Sequence, residues 1–123
     1  MELRELTKAE EQVMHVLWKL EKAFVKDIID ELPEPKPAYN TISTIIRILE
    51  TKGFVEHETF GKSHRYYPLV SKEQYKSFAT EKLLSSYFGN SVESMFSFFV
   101  KKEKIDLKEA DEILKLIQKL KDK

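Results

Sequence analysis

Apolar residues recur three and four positions apart along most of the chain, in blocks separated by short polar breaks. Leu6, Ala9, Val13, Val16, Leu17 and Leu20 keep that spacing, which predicts an amphipathic helix over 8–20. Thr7 and Glu10 stand three apart at its start, the pair that forms a capping box. Val25, Ile28, Ile29 and Leu32 predict a second, shorter helix over 25–32, stopped by Pro33, Pro35 and Pro37, because proline lacks the amide donor and restricts its predecessor. Ile42, Ile45, Ile46 and Leu49 give a third, ending at Gly53, a natural left-handed stop.

The period then changes. The runs 54–60 and 64–70 are rich in β-branched and aromatic residues and are joined through Gly61-Lys62-Ser63, which predicts a hairpin. Helical spacing returns after Val70. Ser71 and Gln74 form another capping box, opening a helix that ends at Gly89 and is about 25 Å long. Ser91 starts a short helix containing Val92, Met95, Phe96 and Phe99. Asp106 and Glu109 cap a last one with Ala110, Ile113, Leu114, Ile117 and Leu120 on its apolar face.

Three helices and a hairpin, then three more helices, predict a mainly α chain. The first part, 1–70, has the layout of a winged helix-turn-helix. The rest, 71–123, is a helical region. In a winged helix the third helix enters the major groove and the hairpin lies against the DNA backbone. The third helix here is unusually rich in weak helix formers. Opposite its apolar face stand Asn40, Thr41, Ser43, Thr44 and Arg47. Asn pairs with adenine, Ser and Thr bond several groups, and Arg reads guanine, while short side chains let the backbone come close. Glu50 and Glu58 must then point away from DNA.

Charge tempers this picture. The chain carries 21 basic and 21 acidic residues, whereas nucleic-acid binders are commonly basic. From Lys36 to Lys82 eight basic residues stand against five acidic ones, a modest local bias. A winged-helix protein–protein module that binds no DNA is the alternative that near-neutral charge keeps open.

A helical region of about fifty residues without disulfide or metal rarely builds a sufficient core alone. Tyr75, Phe78, Leu83, Leu84, Tyr87, Phe88, Met95, Phe96, Phe98 and Phe99 exceed what three short helices can hide. Packing against a second copy is the simplest solution. The expected homodimer contacts are Tyr75, Phe78, Leu83, Tyr87, Phe88, Phe96, Phe99, Ile113 and Ile117. Two recognition helices about 34 Å apart would read a palindrome on double-stranded DNA.

Other classes fare worse. Cysteine is absent, which removes disulfides, thiolate metal sites and cysteine nucleophiles and fits a reducing, cytoplasmic compartment. A copper-responsive relative of the fold would need a cysteine cluster. His15, His57 and His64 lie on different predicted elements without ligand or triad spacing. There is no phosphate-cradling Gly loop and no nucleophile motif. The chain is therefore not expected to be an enzyme, and no cofactor, metal or small-molecule substrate is expected. No apolar run approaches the ~20 residues of a membrane span, and no basic region followed by an apolar stretch marks a signal peptide.

Three segments carry a family resemblance: "LTKAEEQVMHVLWKL" at 6–20, "AYNTISTIIRILETKGFV" at 38–55 and "GKSHRYYPLVSKEQ" at 61–74. Together they resemble the penicillinase repressor family of bacterial regulators, the BlaI/MecI type. The resemblance covers nearly the whole chain. It implies a dimeric winged-helix repressor on two-fold operator sites, controlling β-lactam resistance genes. In several members a membrane sensor metalloprotease triggers cleavage in the C-terminal region, and the dimer weakens. Thr41 and Thr44 match family positions on the recognition helix. Lys62 matches a basic wing position and is the first expected phosphate contact, with Arg65 the second. Tyr66 matches the family Tyr and is expected in the core, and His64, of the same strand parity, is expected inward too. Ile48 stands where the family has Arg, and Arg47 comes one residue earlier, about a quarter turn away, which turns it toward phosphate. The family cleavage point aligns with Phe98–Phe99, and Phe98 stands where cleaved members carry Asn.

Overall fold

The first helix starts where the Thr7–Glu10 pair predicts. In the computed structural model, which describes residues 3–103 and 106–121, α1 spans Lys8–Leu20. The Glu10 amide donates to Thr7 Oγ1 at 3.2 Å, and the Thr7 amide donates to the Glu10 carboxylate at 2.9 Å. The chain continues through β1 (Ala23–Phe24), α2 (Val25–Glu31), α3 (Tyr39–Thr51), β2 (Val55–Phe60), β3 (Ser63–Pro68), α4 (Lys72–Phe88), α5 (Val92–Glu103) and α6 (Leu107–Lys121). This is a mainly α, winged helix-turn-helix architecture followed by three helices, as the sequence predicts. No helix among the described residues is long and apolar enough to cross a membrane.

The chain divides into two compact units, one ending at Ala79 and the other starting at Thr80. In the first, α1, α2 and α3 close around Met14, Leu17, Ile28, Ile46, Leu49 and Phe54, all fully buried. Gly53 adopts φ +82°, which lets the chain reverse so that the Phe54 amide donates back to Leu49 O at 2.9 Å. Phe54 then drops into the core and the hairpin begins. Its strands pair antiparallel, with His57 opposite Tyr66 and Phe60 opposite Ser63. β1, which the sequence did not reveal, adds on the other side of β3 with Ala23 opposite Tyr66, giving the order β1-β3-β2. Two residues show no period, so only the tertiary pairing defines that strand.

Three other expectations shift. Ala9 is exposed, and Glu10 takes the inward position: it is only 4% exposed because Lys52 reaches it from the end of α3, with Nζ at 2.8 and 2.9 Å from its two oxygens. His64 shares parity with buried Tyr66 but is exposed, since the hairpin runs out beyond the core there. Tyr75, expected at the dimer interface, is buried in the first unit. Its hydroxyl accepts from the Leu6 amide at 3.0 Å, and its ring meets Phe54 edge-on at 5.8 Å. Phe78 packs partly buried against the same core. The first unit therefore runs past Val70 into the opening turns of α4, whose capping box forms between Ser71 and Gln74.

The second unit is built differently. Among its described residues Ala110 alone is buried. Phe88 and Phe96 are half-buried, while Leu83, Tyr87, Phe98, Phe99, Leu107, Ile113, Leu114 and Leu116 are exposed, with Tyr87 at 79% and Leu107 at 89%. The side chain of Ile117 lies outside the described residues.

Candidate nucleic-acid interface

The apolar spacing of α3 fixes which of its side chains look outward. Ile42, Ile46 and Leu49 are buried and Ile45 packs against the core, so the opposite ridge is presented to solvent. Asn40, Thr41, Thr44 and Arg47 are exposed on it and Ser43 is half-buried. The ridge is quiet in charge. Arg47 lies back along its own helix, donating from Nε to Ser43 O at 3.3 Å and from Nη2 to Ser43 Oγ at 3.2 Å. No side chain caps the start of α3 and its first turn holds no acid, so the positive end of the helix dipole is left open.

The two acids that would repel DNA are both turned aside. Glu50 meets His57 Nδ1 at 2.6 Å, which draws its carboxylate toward the hairpin. Glu58 accepts from Lys22 at 2.8 Å and Arg65 at 2.9 Å. Those bonds hold the Glu58 carboxyl below the usual value. Arg65 alternates with Tyr66 along β3, so it lies on the sheet face away from the core. There it is bound to Glu58 and stacked on Phe60 at 4.8 Å. It is therefore not brought together with the α3 ridge. Lys62 sits exposed at the hairpin tip, with no ion pair among the described residues.

The hairpin also gathers what the sequence keeps apart. His57 and His64 stack with ring centroids 4.2 Å apart, beside Tyr66, whose hydroxyl is pushed up by burial and by the Glu50 charge. Among the described residues no group of three His, Cys, Asp or Glu could hold a metal ion. An open cleft of about 480 Å³ runs between the start of α2, the start of α3 and the hairpin tip, lined by Lys26, Tyr39, Phe60 and His64 among others. Tyr39, at 59% exposed, and Lys26 were missed by the sequence argument. Tyr39 falls one residue before the polar ridge, which the sequence pattern starts at Asn40. Ile48, which the resemblance sets in the place of the family's Arg, is 43% exposed.

A three-helix core with a hairpin and an exposed polar third helix defines a winged helix-turn-helix protein, the class whose third helix enters the major groove. Comparison with known proteins narrows the class. A family model described as Penicillinase repressor matches residues 6–119. The chain is 28% identical over 116 residues to the methicillin resistance regulatory protein MecI of Staphylococcus aureus (strain N315), covering 94% of each. It is 23% identical over 120 residues to the penicillinase repressor of Bacillus licheniformis, covering 97% of this chain and 94% of that one. Among solved structures, the DNA binding domain of the repressor BlaI matches at 28% identity and TM-score 0.53, over 60% of this chain and 92% of that chain. Monomeric Bacillus licheniformis BlaI in complex with the blaP half-operator matches at 28% identity and TM-score 0.50, with the same coverage. The chain belongs to the penicillinase repressor family, a family of transcriptional repressors and not of enzymes.

Proposed function

We propose that this chain represses transcription by binding operator DNA as a homodimer. The observation that carries the reading is the α3 ridge: exposed Asn40, Thr41, Thr44 and Arg47 backed by buried Ile42, Ile46 and Leu49. Short polar groups on a rigid helix can meet base edges, with Lys62 on phosphate. The BlaI relative bound to a half-operator supports the same placement of this chain on DNA. The exposed side chains of the second unit, Leu83, Tyr87, Phe99 and Ile113, with half-buried Phe88 and Phe96, are the surface that a second copy would cover. Two copies would place two recognition helices on a two-fold site.

The proposed target genes are those of β-lactam resistance, by kinship with MecI, and the proposed compartment is the cytoplasm, where the DNA lies. Release by a membrane sensor metalloprotease would act at Phe98–Phe99. That bond lies inside α5, so the helix must open locally before a protease can take it in extended form. The test is footprinting of DNA upstream of the chain's own gene, with sedimentation of the free protein. Protection of a two-fold sequence that fades steeply with salt, and a two-chain mass at micromolar protein, are expected. No protected base at low ionic strength refutes the reading and favours a protein-binding module instead.

A further inference from the structure

We infer that Ile48 reads a thymine methyl group in the major groove, which makes an A·T pair at that place part of this chain's recognition sequence. The inference deepens the DNA-binding reading above and rests on it. Its ground is an apolar side chain in a polar line. At about 100° per residue, Thr41, Thr44 and Ile48 fall within an arc of about 60° on α3, along about 10 Å of helix, the length of about three base pairs. Ile45, one turn earlier, packs against the core. Ile48 is not among the residues that do, and it stands 43% exposed.

A half-exposed position outside the core would be better filled by Arg, Lys or Glu, all stronger helix formers than Ile. The neighbouring cation supplies nothing there, because Arg47 is folded onto Ser43. Ile has no donor or acceptor, so it gains nothing from phosphate or from the polar base edges. The one apolar feature in the major groove is the thymine 5-methyl group. Thr41 and Thr44 carry methyl groups on the same line, so the ridge combines hydroxyls for base edges with an apolar end for thymine. A C·G pair there would set a cytosine amino group against the Ile48 side chain and leave its donor without a partner.

The test uses the full-length chain and duplexes that it selects from a randomised library. Each thymidine of the selected duplex is replaced in turn by deoxyuridine, which differs only by the missing methyl, and affinity is read by fluorescence anisotropy. The wild-type chain should lose about fourfold at the thymine that faces Ile48, the worth of one buried methyl group. With Ile48→Ala that single effect should vanish while the effects at other positions persist. Ile48→Arg, selected in parallel, should exchange thymine for guanine at the same place, since Arg reads guanine; circular dichroism checks that both variants fold. A selected sequence whose affinity ignores every deoxyuridine, or a deoxyuridine effect unchanged in Ile48→Ala, overturns the inference and leaves DNA binding intact. Failure to select any sequence overturns the DNA-binding reading, and this inference with it.

Discussion

Replacing Lys52 by Met should cost the first unit about 3 kcal/mol at neutral pH, and the loss should shrink in acid. The perturbation keeps most of the alkyl stem and removes the ammonium. In the native chain Glu10 is 4% exposed and takes two contacts from Lys52, at 2.8 and 2.9 Å, besides one from the Thr7 amide at 2.9 Å. Breaking a buried pair by removing one partner costs about 3–5 kcal/mol, because a charge is left without compensation. The low end applies here, since the Thr7 amide still donates and Lys52 itself is partly exposed. For a unit of this size about 3 kcal/mol lowers Tm by roughly 15 °C.

The pH dependence follows from what holds the Glu10 proton. Burial raises its affinity for a proton, but the Lys52 hydrogen bonds and the Thr7 amide outweigh burial and lower the pKa below 4.5. A carboxyl lowered on folding contributes stability that is fully present above its unfolded value and is lost as pH falls through the folded one. In Lys52→Met only burial and the Thr7 amide remain, and taking up a proton relieves the unpaired charge. The gap between the two proteins should therefore narrow as pH falls through the ordinary carboxylate value and close below the lowered Glu10 value of the wild type. Urea unfolding at a series of pH values measures it, with Glu10→Gln/Lys52→Met completing the cycle and expected to lie closer to wild type than Lys52→Met does. A loss below about 0.5 kcal/mol, the size of an ordinary surface change, or a gap that stays constant with pH, refutes the reasoning.

Two further outcomes bear on the interface and the core. Thr41→Ala should cost about 1–3 kcal/mol against its best duplex and relax base choice there, whereas Lys62→Ala should weaken all duplexes alike and reduce the salt slope by about one; titrations at several salt concentrations separate the two, and identical behaviour of both variants contradicts the assignment. Tyr75→Phe removes the acceptor of the buried Leu6 amide and should destabilise the first unit by about 1–3 kcal/mol; unchanged thermal unfolding would show that the hydroxyl is not what satisfies that amide.

Helix positions were legible because their signals are local. Thr7 with Glu10, Ser71 with Gln74, and Asp106 with Glu109 all form the side-chain caps that their spacing implies, and α3 turns its apolar spacing inward. What the sequence hid depends on distant partners. Glu10 is inward because Lys52, far along the chain, reaches it. Tyr75 belongs to the first unit because its hydroxyl meets Leu6, although its spacing fits the helical region equally well. The two faces of β3 separate Arg65 from the α3 ridge, and only its register opposite Glu58 shows that its guanidinium is engaged. Lys62, by contrast, was readable as a tip residue because Gly61 and Ser63 mark the turn.

These pairings also bear on the neutral charge. Lys52, Arg65 and Lys22 are each bound to a carboxylate, and Lys36 donates to the Asp30 and Leu32 carbonyls at the end of α2. The basic surplus between Lys36 and Lys82 therefore overstates what is available to phosphate. Near the α3 ridge and the cleft, Arg47, Lys62 and Lys26 are the exposed cations with no ion pair among the described residues. Two or three phosphate contacts per copy give a salt slope of only about −2 to −3, which is weak anchorage for a single chain at physiological salt. A second copy doubles that number and converts the second binding event into an intramolecular one. The few free cations near the α3 ridge and the exposed apolar side chains of the second unit are both consistent with the proposed homodimer, in which affinity would come from pairing copies and the α3 ridge would be left to choose the sequence.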